Sequence, residues 1–192
     1  NQAKCSADCE IHRSGEVEVR VGIQDIGTGA SAMVTDTAAW HLGLDRSLVT
    51  GKVGNSNYPP GPGSGGSVTT RATVPAVRDS AENALIELKK ELAAVWKTDA
   101  DKINFKEGVF TKPNGTDKVA WKDACALMSG QSVVGHGKFN KDYWGEGSSD
   151  GVQFAKVEVD SETGVIKVKK VVAIQACGKV CNKLTSENQI YG

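Results

Sequence analysis

Seven consecutive residues, Gly61-Pro62-Gly63-Ser64-Gly65-Gly66-Ser67, carry no side chain larger than proline or serine and run straight into an apolar-periodic segment from Val68. Such a run cannot build a core. It can bring bare backbone N–H groups and two hydroxyls up against a ligand. A helix starting at Ser67 or soon after adds its positive end, which suits phosphate or another anion. A second run, Gln24-Asp25-Ile26-Gly27-Thr28-Gly29, opens another helical pattern and reads equally as a donor loop or as a tight strand-to-helix turn. Gly61, Gly63 and Gly66 formally satisfy G-x-G-x-x-G. Asn57-Tyr58-Pro59-Pro60 separates them from any strand, and no acidic residue ends a second strand about 20 residues on, so a dinucleotide fold is rejected. No Gly-Lys-Ser/Thr follows, which excludes a P-loop. A flexible linker is the bland alternative, but linkers seldom carry a Pro-Pro/Gly-Pro scaffold feeding a long helix.

The remaining chemistry is thin. His12, His41 and His136 stand far apart, and none neighbours a serine or cysteine in a nucleophile elbow. His41 lies off the apolar stripe of its helix and is expected in solvent. Asp142 and Glu146 read as surface charges. Cys5-x3-Cys9-x2-His12 holds zinc-type ligands, but the surrounding alternation predicts a strand whose side chains diverge, and Cys177-x3-Cys181 cannot close a tetrahedral site with two thiols. No catalytic residue and no metal ligand is therefore assigned. The pattern suits a chain that holds a cofactor while the reacting groups come from elsewhere.

The elements that must position these loops follow from periodicity. Glu16 to Val21 alternates as a half-buried strand, with Ala7 to Ile11 as its hairpin partner across Ser14-Gly15. From Ala30 the spacing predicts a helix with Met33, Thr37, Trp40 and Leu44 on one face and Gly43 as its stop. Leu48 to Val53 reads as a strand. Val77, Ala81, Ala84, Leu85, Leu88, Leu92 and Val95 mark a long helix, with Pro75 kinking its first turns or marking a junction between two helices. Short strands are expected within Asp101 to Phe110, a turn at Lys112-Pro113-Asn114-Gly115, a short helix over Val119 to Met128, and an extended segment over Ser132 to Phe139. Asn140 to Asp150 reads as a polar loop. Val157 and Val159 then face Ile166 and Val168 in a hairpin whose second strand runs on to Ala176. Near the end, Ser186-x-x-Gln189 fits a capping box. The fold class is α+β: a mixed β-sheet, a long helix after the Gly/Ser-rich loop and a C-terminal β-hairpin, in a single domain over residues 1–192.

Composition closes off other classes. With 39% hydrophobic residues over 192 positions the chain can bury a real core. Lys+Arg and Asp+Glu balance at 23 each, so no basic excess points to nucleic acid. No apolar run approaches the ~18 residues of a membrane span. Five unevenly spaced cysteines do not form a disulfide framework, which favours a reducing compartment. The expected location is the cytoplasm, with the periplasm as the alternative.

Gln24-Asp25-Ile26-Gly27-Thr28-Gly29, Pro59-Pro60-Gly61-Pro62-Gly63-Ser64-Gly65-Gly66-Ser67, Val157-Glu158-Val159-Asp160 with Thr163-Gly164, and Gln189-Ile190-Tyr191-Gly192 occur here in that order. The series resembles the molybdopterin-binding large subunit of the xanthine dehydrogenase/aldehyde oxidase family of molybdenum hydroxylases, in its C-terminal part and bacterial type. The resemblance implies that Ile26, Gly27 and Thr28 contact the pyranopterin and its phosphate arm. It implies that Ser64, Gly65, Gly66, Ser67 and Thr69 wrap the dithiolene-pterin and phosphates, and that Gln189 hydrogen-bonds the pterin or its phosphate. The cofactor implied is molybdopterin, in mononucleotide or cytosine dinucleotide form. The whole enzyme would hydroxylate an aldehyde or an N-heterocycle such as a purine with water-derived oxygen, passing electrons to iron–sulfur clusters and FAD on partner domains or subunits. Other implied partners are the remainder of the molybdenum subunit and a small-molecule substrate, with no nucleic acid and no membrane.

Departures from the family pattern limit this. The family's catalytic glutamate belongs to a Gly-x-Gly-Glu segment downstream of the Gln-x-x-Gly motif, and its glycine-phenylalanine loop lies upstream of residue 1. Asn182-Lys183 replaces the usual Asn-Pro, and Cys181 replaces an aliphatic residue. The resemblance therefore implies a fragment inactive by itself. The alternative is a non-catalytic scaffold domain that retains the fold without the cofactor.

Overall fold

The computed structural model describes residues 4–139, 150–178, 180 and 182–192. Asp142, Glu146 and Cys181, and the polar loop expected from residue 140 up to Asp150, lie outside the described residues. The chain divides into two compact units, Asn1–Tyr143 and Trp144–Gly192.

In the first unit, β1 (Ser6–His12) and β2 (Val17–Val21) pair antiparallel around Ser14-Gly15, with Cys9 opposite Val19 and Ile11 opposite Val17. Their alternation is the physical signature of a sheet with one dry face. Ala7, Cys9, Ile11, Val17, Val19 and Val21 are buried while Asp8, Glu10, Glu18 and Arg20 face outward. α1 (Ala30–Leu42) carries the chain from β2 to β3 (Val49–Val53), which lies parallel to β2. β7 (Ser132–Lys138) pairs antiparallel with β1 on the other side and completes a mixed sheet in the order β3-β2-β1-β7.

α1 packs over β2 and β3, and α2 (Thr69–Trp96) over β1 and β7, with the two helices side by side. α2 is one continuous helix of 28 residues that runs through Pro75, so no junction occurs there. Its buried stripe begins with small residues, Ala72, Ala76, Ser80, Ala81 and Ala84, and ends with Leu88 and Leu92. Small residues let the helix press onto β7 backbone. A Cβ built on Gly137 would stand 2.2 Å from the Ala76 carbonyl, and one on Gly135 would stand 2.0 Å from the Ala84 nitrogen. The amino-terminal half of α2 is thus clamped to the sheet. Side chains secure the same edge, with Asn83 Nδ2 donating to the His136 carbonyl and the Lys138 N–H to Asp79 Oδ2, each at 2.8 Å.

A small sheet, β4 (Asn104–Lys106), β5 (Val109–Thr111) and β6 (Lys118–Ala120), carries an aromatic cluster of Phe105, Phe110 and Trp121. Trp121 Nε1 donates to the Gly15 carbonyl at 2.7 Å and ties this sheet to the first hairpin. The expected turn forms at Lys112–Gly115, closed by the Gly115 N–H on the Lys112 carbonyl at 2.9 Å.

Three expectations are corrected. Trp40 and Val95 are exposed, at 59% and 48%, because the sheet buries the neighbouring stripes through Val34, Ala38 and Leu42 on α1 and through Leu88 and Leu92 on α2. His41 is half-buried rather than solvated. The helix expected over Val119 to Met128 is only α3 (Trp121–Cys125), since pairing with β5 draws Lys118–Ala120 into a strand.

In the second unit, β8 (Asp150–Val159) and β9 (Ile166–Ala176) form the expected hairpin, with Val157 opposite Val168 and Val159 opposite Ile166. Asp160 Oδ1 accepts the N–H groups of Glu162 and Thr163 in its turn, and Gly164 takes φ 71°. α4 (Lys183–Tyr191) ends the chain.

Candidate cofactor site

Because β2 and β3 are parallel neighbours, the loops that follow them leave the sheet at the same end, where layered α/β structures commonly form ligand crevices. The first loop spans residues 22–29 and leads into α1; the second spans 54–68 and leads into α2. They are stitched together. The Gly22 N–H donates to the Pro59 carbonyl at 2.7 Å, and the Ser6 N–H to the Pro60 carbonyl at 2.8 Å. A Cβ on Gly61 would lie 2.3 Å from Ile23 Cγ2, so that glycine lets the loops pack. Further out, the Ser64 hydroxyl donates to Gln24 Oε1 at 3.1 Å across 40 positions of sequence.

Asp25 shapes the first loop. Its Oδ1 accepts the N–H groups of Gly27 and Gly29 at 3.1 and 3.2 Å, and its Oδ2 accepts that of Ser31 at 3.0 Å. The wrap requires left-handed backbone at Gly27 and Gly29, with φ 93° and 78°. These N–H groups, that of Ser31 foremost, hold the carboxyl below its ordinary range. Ser31 is itself fixed, since its hydroxyl donates to the Gly51 carbonyl at 3.0 Å on β3. Ile26, Gly27 and Thr28 are left exposed, and Ile26 is an apolar side chain 68% in solvent.

The second loop is built differently. Gly63 and Gly65 have open space where a Cβ would stand and no positive φ, so nothing within the chain requires glycine there. A group brought close to the backbone would. Gly66 and Ser67 follow at φ 61° and 57°, a conformation that strains serine. α2 then starts with Val68 at its cap position, no capping side chain and no acidic residue in its first turn. Among the described residues the hydroxyls of Thr28, Ser67 and Thr69 make no hydrogen bond. Bare amides, unengaged hydroxyls and glycines with room above them fit an anionic organic group rich in hydrogen-bond acceptors.

Eight of the residues picked out by sequence thus fall in two adjoining loops of one unit: Ile26, Gly27, Thr28, Ser64, Gly65, Gly66, Ser67 and, at the first helical position, Thr69. Gln189 lies exposed on α4 in the other unit. The capping box read at Ser186 and Gln189 is not formed. Asn182 caps α4 by accepting the Thr185 N–H at 3.1 Å, and the Ser186 hydroxyl donates to the Asn182 carbonyl at 2.8 Å. Sequence reasoning missed Gln24 and Asp25 as individual actors. The signal for Asp25 was available, because a carboxylate followed by glycines two and four positions on, just before a helix, can fold back on their amides.

The other candidate ligands diverge. Cys9 is fully buried and its thiol is pushed up to about 12, mainly by burial, while His12 lies on the opposite face of β1. His136 bonds Asp8 at 2.7 Å, and burial foremost, then Arg78, lowers the His41 imidazole. Among the described residues no group of three His, Cys, Asp or Glu side chains is placed to hold a metal. No helix there is long and apolar enough to cross a membrane.

A sequence profile of the molybdopterin cofactor-binding domain matches residues 1–192. The chain belongs to that family. It is 28% identical over 191 residues to the aldehyde oxidoreductase molybdenum-binding subunit PaoC of Escherichia coli K12, covering 98% of this chain and 25% of that protein. It is 25% identical over 200 residues to the carbon monoxide dehydrogenase large chain of Afipia carboxidovorans, covering 97% and 24%. Among solved structures, quinoline 2-oxidoreductase from Pseudomonas putida 86 superposes with a TM-score of 0.81 at 18% identity, over 99% of this chain and 25% of that one. The chain therefore spans about a quarter of the length of the relatives it matches. The resemblance to a molybdenum hydroxylase large subunit, drawn from four short motifs, holds at the level of the family.

Proposed function

We propose that the loops at 22–29 and 54–68 grip the pyranopterin of a molybdenum cofactor, and that this chain is the part of a molybdenum hydroxylase that fixes the cofactor's orientation. The observation that carries the reading is the Ser64–Gln24 hydrogen bond, which makes one surface of two loops far apart in sequence. The amides of Ile26, Thr28, Ser64, Gly65, Gly66, Ser67 and Thr69 and the hydroxyls of Thr28, Ser67 and Thr69 act as donors, while the Ser64 hydroxyl is engaged by Gln24. The Gly27 N–H is engaged by Asp25, so Gly27 contributes by lacking a side chain.

When bound, the cofactor supplies the two-electron centre that oxidises a substrate C–H bond with oxygen from water. The chain's own residues bind and orient. None is assigned as base or nucleophile, and the glutamate general base comes from outside these residues. The aldehyde oxidoreductase relative supports an aldehyde as substrate, with an N-heterocycle as the alternative carried by the motif resemblance; the carbon monoxide dehydrogenase relative points to neither. Residues 1–192 act as one fragment of a cytoplasmic enzyme, working with the rest of the molybdenum subunit and with iron–sulfur and FAD partners.

The test is to purify the chain assembled with the rest of its large subunit and measure molybdenum and pterin. Stoichiometric content is expected in the parent, and content about tenfold lower in Gly65→Val, whose side chain fills the space above the loop. The mass of the released cofactor distinguishes the mononucleotide from the cytosine dinucleotide form. A well-folded complex containing neither metal nor pterin would overturn the reading in favour of a scaffold.

A further inference from the structure

We propose that Asp25 and Gln24 are positioning residues for the cofactor. Asp25 holds Ile26–Thr28 outward, and Gln24 ties that loop to Ser64. The inference rests on the reading that these two loops bind the cofactor, and it assigns work to two side chains that need not touch it.

Asp25 satisfies the Gly27, Gly29 and Ser31 amides with both carboxylate oxygens, so the amino end of α1 already holds an anion supplied by the chain. A phosphate brought to those amides would meet a carboxylate and find its donors taken. The cofactor's anionic arm is thereby directed to the second loop. The same three bonds order the Ile26–Thr28 segment before any ligand arrives, which removes a cost that binding would otherwise bear. Gln24 extends the effect. Its Oε1 receives the Ser64 hydroxyl, and the next two residues after Ser64 are the open Gly65 and the left-handed Gly66. Neither loop can then swing without the other.

The experiment uses the assembled protein and follows the first-order release of molybdenum and pterin during incubation, alongside the melting temperature. Gln24→Ala is expected to speed release about fivefold, the loss of one hydrogen bond. Gln24→Glu retains an acceptor for Ser64 and is expected within about twofold of the parent. In a Ser64→Ala background, Gln24→Ala is expected to add less than about twofold, because the bond is already gone. Asp25→Ala is expected to speed release about tenfold, with Asp25→Asn between it and the parent because its Oδ1 still accepts from Gly27 and Gly29. Leu92→Ala, at the far end of α2, serves as the control for general destabilisation. If it speeds release as much as Asp25→Ala at equal loss of melting temperature, the positioning role is overturned. Parental release in Gln24→Ala and Asp25→Ala, with cofactor lost in Gly65→Val, also overturns it while leaving the binding reading intact. Cofactor unchanged in Gly65→Val overturns the binding reading itself.

Discussion

The amino ends of α1 and α2 stand side by side after parallel strands, each preceded by a glycine-bearing loop, yet they are finished in opposite ways. At α1 the chain closes the end itself, with one carboxylate accepting three amides. At α2 it leaves the end bare, with valine at the cap, a strained serine before it and glycines under open space. The contrast teaches that a glycine-rich run before a helix is not one device. One run folds onto itself, and its glycines serve the turn. The other is spread open, and its glycines are not needed by the fold, which is what the proposed cofactor site requires of them.

The glycines offer the strongest way to break that comparison. Gly137→Val places a side chain against α2 backbone and is expected to cost about 3 kcal/mol of stability, read by chemical denaturation. Gly65→Val, with open space around it, is expected to leave stability within about 0.5 kcal/mol while losing cofactor. Equal destabilisation by the two would erase the distinction between glycines of the fold and glycines of the site.

Asp25→Ala sharpens the closed end, with an expected loss of about 1 kcal/mol at neutral pH for a missing cap. The folded carboxyl is held low, so its contribution is present above an unfolded pKa of about 3.9 and is lost as pH falls through the folded value. Denaturation curves of parent and variant should therefore begin to converge below about pH 4 and meet only once pH lies below the lowered folded value. A gap that persists there would assign the effect to packing rather than to the carboxylate. The smallest effect is expected at the open end. Ser67→Gly relieves left-handed strain against the added entropy of glycine, for a net gain of about 0.5 kcal/mol.

Legibility in the sequence followed the range of the interaction. β1, β2, the hairpin of β8 and β9, and most of the buried stripe of α2 were readable because period-2 and period-3.6 patterns are local. Trp40 was misplaced because two adjacent stripes of α1 are both apolar enough to face a sheet, and only the sheet's position selects Val34, Ala38 and Leu42. Val119 and Ala120 read as helix because their strand state depends on pairing with β5. The Gly/Ser loop was conspicuous, whereas its bond to Gln24 was not, since no local rule links positions 40 apart.

By itself the sequence determined that two glycine-bearing loops open helices, that the class is α+β, and that the ordered motifs belong to the molybdopterin cofactor-binding family. Composition and periodicity act over a few residues, and the first two statements need nothing longer; the third rests on the resemblance of the motifs, which the family profile bears out. Only the tertiary structure decided that the loops meet, that Asp25 closes one helix end and that the other stays open. Those outcomes depend on β2 and β3 lying parallel and adjacent, an arrangement set by burial of the whole sheet rather than by any segment of it.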